Sequence, residues 1–169
     1  MRTGFEDVVL PHLDSAYRLA LWLLANTPDA EDAVEEAVRR ARRQLHTLAG
    51  TDARVWLLGI VHRTCSGWQG RDHVPAGPAA APREASPIAV IRCAIASLPT
   101  PLREVIVLRD LEDLPYRDVA DVIGIPVDVA ASRLSAARQA LYRALGRPAK
   151  MTPPLQEKNS EVESCEVFS

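Results

Sequence analysis

Along this chain, apolar residues recur at helical spacing in segments bounded by proline, glycine and short polar turns. Phe5 to Leu10 predicts a short amphipathic helix, broken or kinked at Pro11. From Leu13 to Ala25 the residues Ala16, Tyr17, Leu19, Ala20, Leu23 and Leu24 make a helix apolar over most of its circumference, expected to be buried. Asn26 to Asp29 reads as a turn and cap, with Thr27 as N-cap and Pro28 opening a helix that reaches Leu45. Its inner face carries Ala30, Ala33, Val34, Ala37, Val38, Ala41 and Leu45. After a loop at Leu48 to Asp52, hinged at Gly50, another helix covers about Ala53 to Trp68. It packs through Trp56, Leu57, Ile60, Val61 and Thr64 and turns Arg54, His62 and Arg63 to polar faces.

The second half is organised around Leu98 to Leu145, which reads as helix, helix, tight turn and long helix. Val119, Ala120 and Ile123 sit at helical spacing, Gly124 supplies the residue that tolerates positive φ at a helix end, and Pro126 opens the next helix. Ala130, Leu134, Ala137 and Leu141 then form one stripe, leaving Ser132, Arg133, Ser135 and Arg138 on other faces. This is a helix-turn-helix pattern with its second helix offered to a DNA groove. Arg133, Arg138, Arg143 and Arg147 follow with no acid between Ser132 and Arg147, which suits phosphate neutralisation. A small helical bundle with solvated arginines fits the same pattern. Ile88 to Ser97, with Val90, Ile91, Ala94 and Ile95, predicts a short helix ahead of this unit.

The expected architecture is all-α: two small helical domains joined by a flexible linker, the second a helix-turn-helix domain. The boundaries are 1–72, a Pro/Ala/Gly-rich linker 73–87, 88–147, and a Pro-, Glu- and Ser-rich tail 148–169 expected to be disordered. Fully extended, the linker spans roughly 50 Å, more than one duplex turn of about 34 Å. Two separated DNA sites therefore lie within its reach.

Composition narrows the chemistry. The 47% hydrophobic content is ample for globular cores, and scarce aromatics favour helices over sheets. A net charge of −2 excludes indiscriminate coating of nucleic acid, so DNA contacts must come from local basic patches. One such patch lies in the helix from Pro28 to Leu45, where Asp29, Glu31, Asp32, Glu35 and Glu36 precede Arg39, Arg40, Arg42 and Arg43. Glu35 with Arg39 and Glu36 with Arg40 are favourable i, i+4 pairs. The helix reads either as a solvated rod stabilised by its own charges or as two patches, acidic for a basic protein and basic for DNA.

Cys65, Cys93 and Cys165 are too scattered for a disulfide framework, and no early apolar run forms a secretory signal. The longest apolar stretch, Leu19 to Ala25, is too short for a bilayer, so a cytoplasmic protein without membrane insertion is expected. His62 and Cys65 do not complete a metal set; Cys65 reads as core and His62 as a surface or groove residue. No phosphate loop or catalytic constellation is present, so neither enzymatic activity nor a cofactor is expected.

Two stretches carry a family resemblance. Leu98-Pro99, Arg103-Glu104-Val105, Leu108-Arg109, Leu114-Pro115-Tyr116, Val119-Ala120, Ser132-Arg133-Leu134 and Ala137-Arg138 resemble the fourth conserved region of bacterial sigma factors of the extracytoplasmic-function (ECF) group. Asp29-Ala30-Glu31-Asp32-Ala33, with Trp56-Leu57 and Ile60-Val61-His62-Arg63, resembles the second conserved region of the same group. Two matches in the correct order are more specific than either alone.

The resemblance implies a protein that binds core RNA polymerase and directs it to promoter DNA, with an anti-sigma factor as its expected regulator. It implies that Asp32, Glu35 and Glu36 meet the polymerase, that Arg40, Arg43 and Arg63 face the downstream promoter element, and that the 48–52 loop occupies the position of a base pocket. It places Arg109, Ser132, Arg133, Ser135 and Arg138 at the upstream element, with Arg133 alternatively tied to an acid of its own domain. Departures occur at Glu35, Arg42, Leu48, Arg63, Gly67, Val129, Ala131 and Ala136; at Ala131 and Ala136 the family often has basic residues, and Arg at position 63 also occurs in the family. Each lost phosphate contact would flatten the salt dependence by about 0.9 log units. Two other readings fit the residues: a sigma-like protein that sequesters an anti-sigma factor, and a dimeric helix-turn-helix regulator of free operator DNA.

Overall fold

Proline and left-handed residues punctuate the helices. The computed structural model describes residues 4–68 and 86–146. Helix α1 (Phe5–Val9) gives way at Pro11 to a 3₁₀ turn, Leu10–His12, because proline cannot donate to the helical ladder. Helix α2 (Leu13–Leu24) ends where Ala25 turns left-handed, with φ 53°. Helix α3 spans Thr27–Arg43, with Asn26 rather than Thr27 in the extended cap position and Pro28 in the first turn. A 3₁₀ turn, Leu45–Leu48, leads to α4 (Ala53–Trp68). Asp52 starts α4 by accepting hydrogen bonds at Oδ1 from the backbone N–H of Arg54 (2.9 Å) and Val55 (3.1 Å).

The second module starts at Ser86, whose Oγ accepts from the Ala89 N–H, and comprises α5 (Pro87–Ala96), α6 (Thr100–Ile106), α7 (Tyr116–Ile123) and α8 (Val127–Ala144). After α6 the chain loosens into a π-helical turn, Val107–Leu111, closed by a bond from the Glu112 N–H to the Val107 carbonyl five residues back. Gly124 terminates α7 at φ 80°, donating to the Ala120 carbonyl at 2.8 Å. Pro126 stands just outside α8 as its extended cap. Among the described residues all regular structure is helical, as expected. Residues 1–3, 69–85 and 147–169 lie outside the described residues, and with them positions 73–85 of the expected linker 73–87 and the whole expected tail 148–169.

In the first module α2, α3 and α4 pack on one another through Leu19, Ala20, Leu23, Ala33, Ala37, Leu57 and Val61. In the second, α8 closes on α6 and α7 through Ala130, Leu134 and Ala137. The two modules also meet: α4 lies against α7, α2 against α6, and the buried side chains of both form one continuous cluster. Consequently α4 is buried around most of its circumference from Val55 to His62.

This packing corrects one side-chain expectation. His62 is buried, because α6 of the other module covers the face of α4 that carries it. On α5, Val90 and Ile91 are exposed, since the helix applies its Ala94 and Ile95 side to α6 and α8.

Candidate nucleic-acid and polymerase interface

Helix α8 buries Ala130, Leu134 and Ala137, so Ala131, Ser132, Ser135, Ala136, Gln139 and Arg143 share its exposed side. Ser132 and Ser135 are therefore open to a groove. The three arginines expected beside them are internally engaged. Arg133 donates to Glu104 Oε1 at 3.1 Å, the intradomain alternative. Arg138 grips Asp110 with two bonds, Nη2 to Oδ1 at 2.6 Å and Nε to Oδ2 at 3.1 Å, and this pairing raises the pKa of Arg138. Arg109 donates to the Leu114 carbonyl at 3.2 Å and stacks 5.4 Å from the Tyr116 ring centroid. These arginines fasten α8 and the π turn to the module; each keeps part of its side chain in solvent.

On α3 the charge pattern closes on itself. Arg39 pairs with Glu35 at 3.0 Å, and Glu36 receives Arg40 at 2.8 Å, Arg39 at 2.9 Å and Arg43 at 3.7 Å. The hydrogen bond from Arg40, aided by the charges of Arg39, Arg40 and Arg43, holds the Glu36 carboxyl below the usual range. Glu36 thus belongs to both the acidic and the basic patch. Asp32 and Arg63 are exposed and make no ion pair among the described residues. The 48–52 loop is pinned from its base: Trp56 Nε1 donates to Thr47 Oγ1 at 2.9 Å, and Gly50 turns at φ 80°.

The strongest polar contacts join the modules. The Glu112 carboxylate is wholly buried, and Arg18 donates to it from Nε at 2.7 Å and from Nη2 at 3.0 Å. Arg54 Nη2 adds a bond at 2.6 Å and reaches the Glu112 backbone carbonyl at 2.8 Å. Burial alone would push the Glu112 carboxyl up. The hydrogen bonds from Arg18, Ser15 and Arg54 outweigh burial and hold it below the usual glutamate range. Nearby, His62 Nε2 meets Glu104 Oε2 at 2.8 Å, and Arg103 Nη1 donates to the Trp22 carbonyl at 3.1 Å. Burial lowers the Arg103 pKa. One contact opposes this set: Asp118, its pKa raised by burial, is further raised by Asp121 and by Asp52 of the first module. None of Arg18, Arg54, Glu104 or Glu112 was marked as a contact by sequence spacing; Gln139, by contrast, lies on the same α8 face as Ser132 and Ser135, and helical period alone places it there.

Comparison with known proteins agrees with this geometry. The family profile for Sigma-70 region 2 matches residues 8–68, and that for Sigma-70 region 4 matches residues 88–141. The matched class is that of all-helical, two-region sigma proteins. The chain belongs to the sigma-70 family, in its extracytoplasmic-function group.

It is 28% identical to the ECF RNA polymerase sigma factor SigE of Mycolicibacterium smegmatis, over 88% of this chain and 64% of that protein. It is 27% identical to the RNA polymerase sigma-H factor of Pseudomonas aeruginosa, over 85% of this chain and 87% of that one. It is 28% identical to the ECF RNA polymerase sigma factor SigM of Mycobacterium tuberculosis, over 86% and 79%. The fold resembles that of the sigma factor RpoE from Bartonella quintana, solved in complex with the anti-sigma factor NepR. The TM-score is 0.72 and the identity 22%, over 85% of this chain and 98% of that one. Among the described residues no helix is long and apolar enough to cross a membrane.

Proposed function

We propose that this chain binds core RNA polymerase and directs promoter recognition and transcription initiation as an ECF sigma factor. The observation that carries the reading is the order of the two regions on one chain, with the exposed side of α8 left uncovered by its own module. In this reading Asp32, Glu35 and Glu36 meet the polymerase, and Arg40, Arg43 and Arg63 lie along the downstream element. Ser132 and Ser135, joined by Gln139 and Arg143, enter the upstream element. Arg109, Arg133 and Arg138 orient that face and offer their solvent-exposed edges to phosphates. An anti-sigma protein is the expected regulator. The chemistry of RNA synthesis stays with the polymerase, and this chain works by binding in the cytoplasm.

Size-exclusion chromatography with core polymerase tests the partner assignment. The wild-type protein is expected to co-elute with it. Asp32→Lys, which reverses an exposed charge, is expected to reduce co-elution. Arg143→Ala is expected to retain co-elution and weaken promoter binding. Loss of the same activity in both variants would refute this division of roles.

A further inference from the structure

We infer that Asp128 sets the sequence preference of α8: it reads a cytosine of the upstream promoter element through the amino group of that base, and no arginine of α8 reads guanine. The inference rests on the sigma-factor reading above and names the bases which that reading leaves open.

Helix α8 presents one continuous outer ridge. Asp128, Ser132, Ser135 and Gln139 follow one another at helical spacing, opposite the buried Ala130, Leu134 and Ala137. All four are exposed, and their side chains have no hydrogen-bond or ion-pair partner among the described residues. At about 1.5 Å per residue the ridge is about 16 Å long, matching roughly five base pairs of about 3.4 Å each. Beside Asp128 the apolar Val127 is left 47% exposed, with Ala131 one turn further along the same flank. The cations are committed elsewhere. Glu104 holds Arg133, Asp110 holds Arg138, and Arg109 lies on the Leu114 carbonyl and the Tyr116 ring. Arg143 stands in the last turn, its Nε 3.4 Å from the Gln139 carbonyl oxygen.

In a helix-turn-helix the residues near the start of the second helix contact base edges. Asp128 is in the first turn of α8, so its carboxylate meets bases while Arg143 falls to the phosphates. In the major groove guanine shows only acceptors, and thymine an acceptor and a methyl group; both repel a carboxylate or leave it unpaired. Adenine sets an acceptor next to its amino group. Cytosine alone offers a donor with no acceptor on its own edge. The flanking phosphates make an unpaired carboxylate costly, so Asp128 selects cytosine largely by rejecting the other bases. Val127 and Ala131 give apolar surface to a neighbouring thymine methyl, and Gln139 suits adenine. The Asp128 carboxylate also complements the positive end of α8, a role indifferent to base sequence.

Selection from a randomised duplex pool, captured by the full-length protein joined to core polymerase, separates the two roles. The wild type is expected to favour C·G over the other pairs at one position by roughly tenfold or more. Asp128→Asn keeps the shape and loses the charge, and an amide both accepts from and donates to adenine. It is expected to move that single position from C·G to A·T, with the remaining positions and polymerase co-elution as in the wild type. Val127→Ser is expected to relax a thymine next to it. The same selected sequence for wild type and Asp128→Asn, a loss of affinity spread evenly over all positions, or a G·C position that responds to Arg133→Ala and not to Asp128→Asn would overturn the assignment. Failure of the wild-type protein to join core polymerase would instead overturn the functional reading. The same selection with the protein alone then judges Asp128, and a pool with no enriched sequence counts against it.

Discussion

Arg54 Nη2 bridges the carboxylate and the backbone carbonyl of Glu112, at 2.6 Å and 2.8 Å, and so fixes both the side chain and the turn that bears it. With the Glu112 carboxyl held below its usual range, the stabilisation is fully present above the unfolded-state value. It is lost as pH falls through the depressed folded-state value. The melting temperature of the wild-type protein is therefore expected to drop on acidification below the ordinary glutamate range, and Glu112→Gln to show a shallower drop. Calorimetry at matched ionic strength checks this. Equal slopes would show that the pair contributes nothing to the pH dependence.

Removing the carboxylate altogether should also lower stability at neutral pH. Breaking a buried pair typically costs about 3–5 kcal/mol, but Arg18 is half exposed and regains water readily. The loss expected for Glu112→Ala is thus on the order of 2 kcal/mol. Urea titration measures it.

The core of the helix-turn-helix module gives a purely apolar counterpart. Leu134 is almost wholly buried between α8 and its neighbours, and Leu134→Ala should destabilise by about 2–5 kcal/mol. The same titration should show it, with no added pH dependence.

The exposed side of α8 carries the groove contacts in this account, and Arg143 is exposed there. Arg143→Ala should reduce the slope of log affinity against log salt by about 0.9, one phosphate contact, across all promoter sequences. An unchanged slope in a filter-binding series would remove Arg143 from the interface.

Cys65 is fully buried, and that burial pushes its thiol up to about 12. It should resist iodoacetamide at pH 8 while the half-buried Cys93 reacts, and label only on unfolding. Peptide mass spectrometry distinguishes the two sites.

Features determined locally were legible in the chain. Gly124 announces the end of α7 because an L side chain is strained at φ 80°. The pairs Glu35 with Arg39 and Glu36 with Arg40 follow from helical period and form as expected. What could not be read is what distant elements supply. Glu112 finds Arg18 across 94 residues and Arg54 across 58, and no local spacing encodes such a match. The π turn at Val107–Leu111 has no residue signature, yet it sets where Glu112 points. His62 sits at a position of α4 that is polar in a lone module and buried only when α6 covers it. Arg133 and Arg138 sit among exposed neighbours on α8, but acids of α6 and the π turn claim them.

Run-off transcription on linear templates carrying promoters from the native host, with core polymerase alone and with the protein added, tests the central assignment most directly. The account predicts discrete transcripts from specific start sites only when the protein is present. It would be contradicted by core polymerase that initiates no specific transcript with this protein, and more so if the protein instead shifts a palindromic site as a homodimer without polymerase.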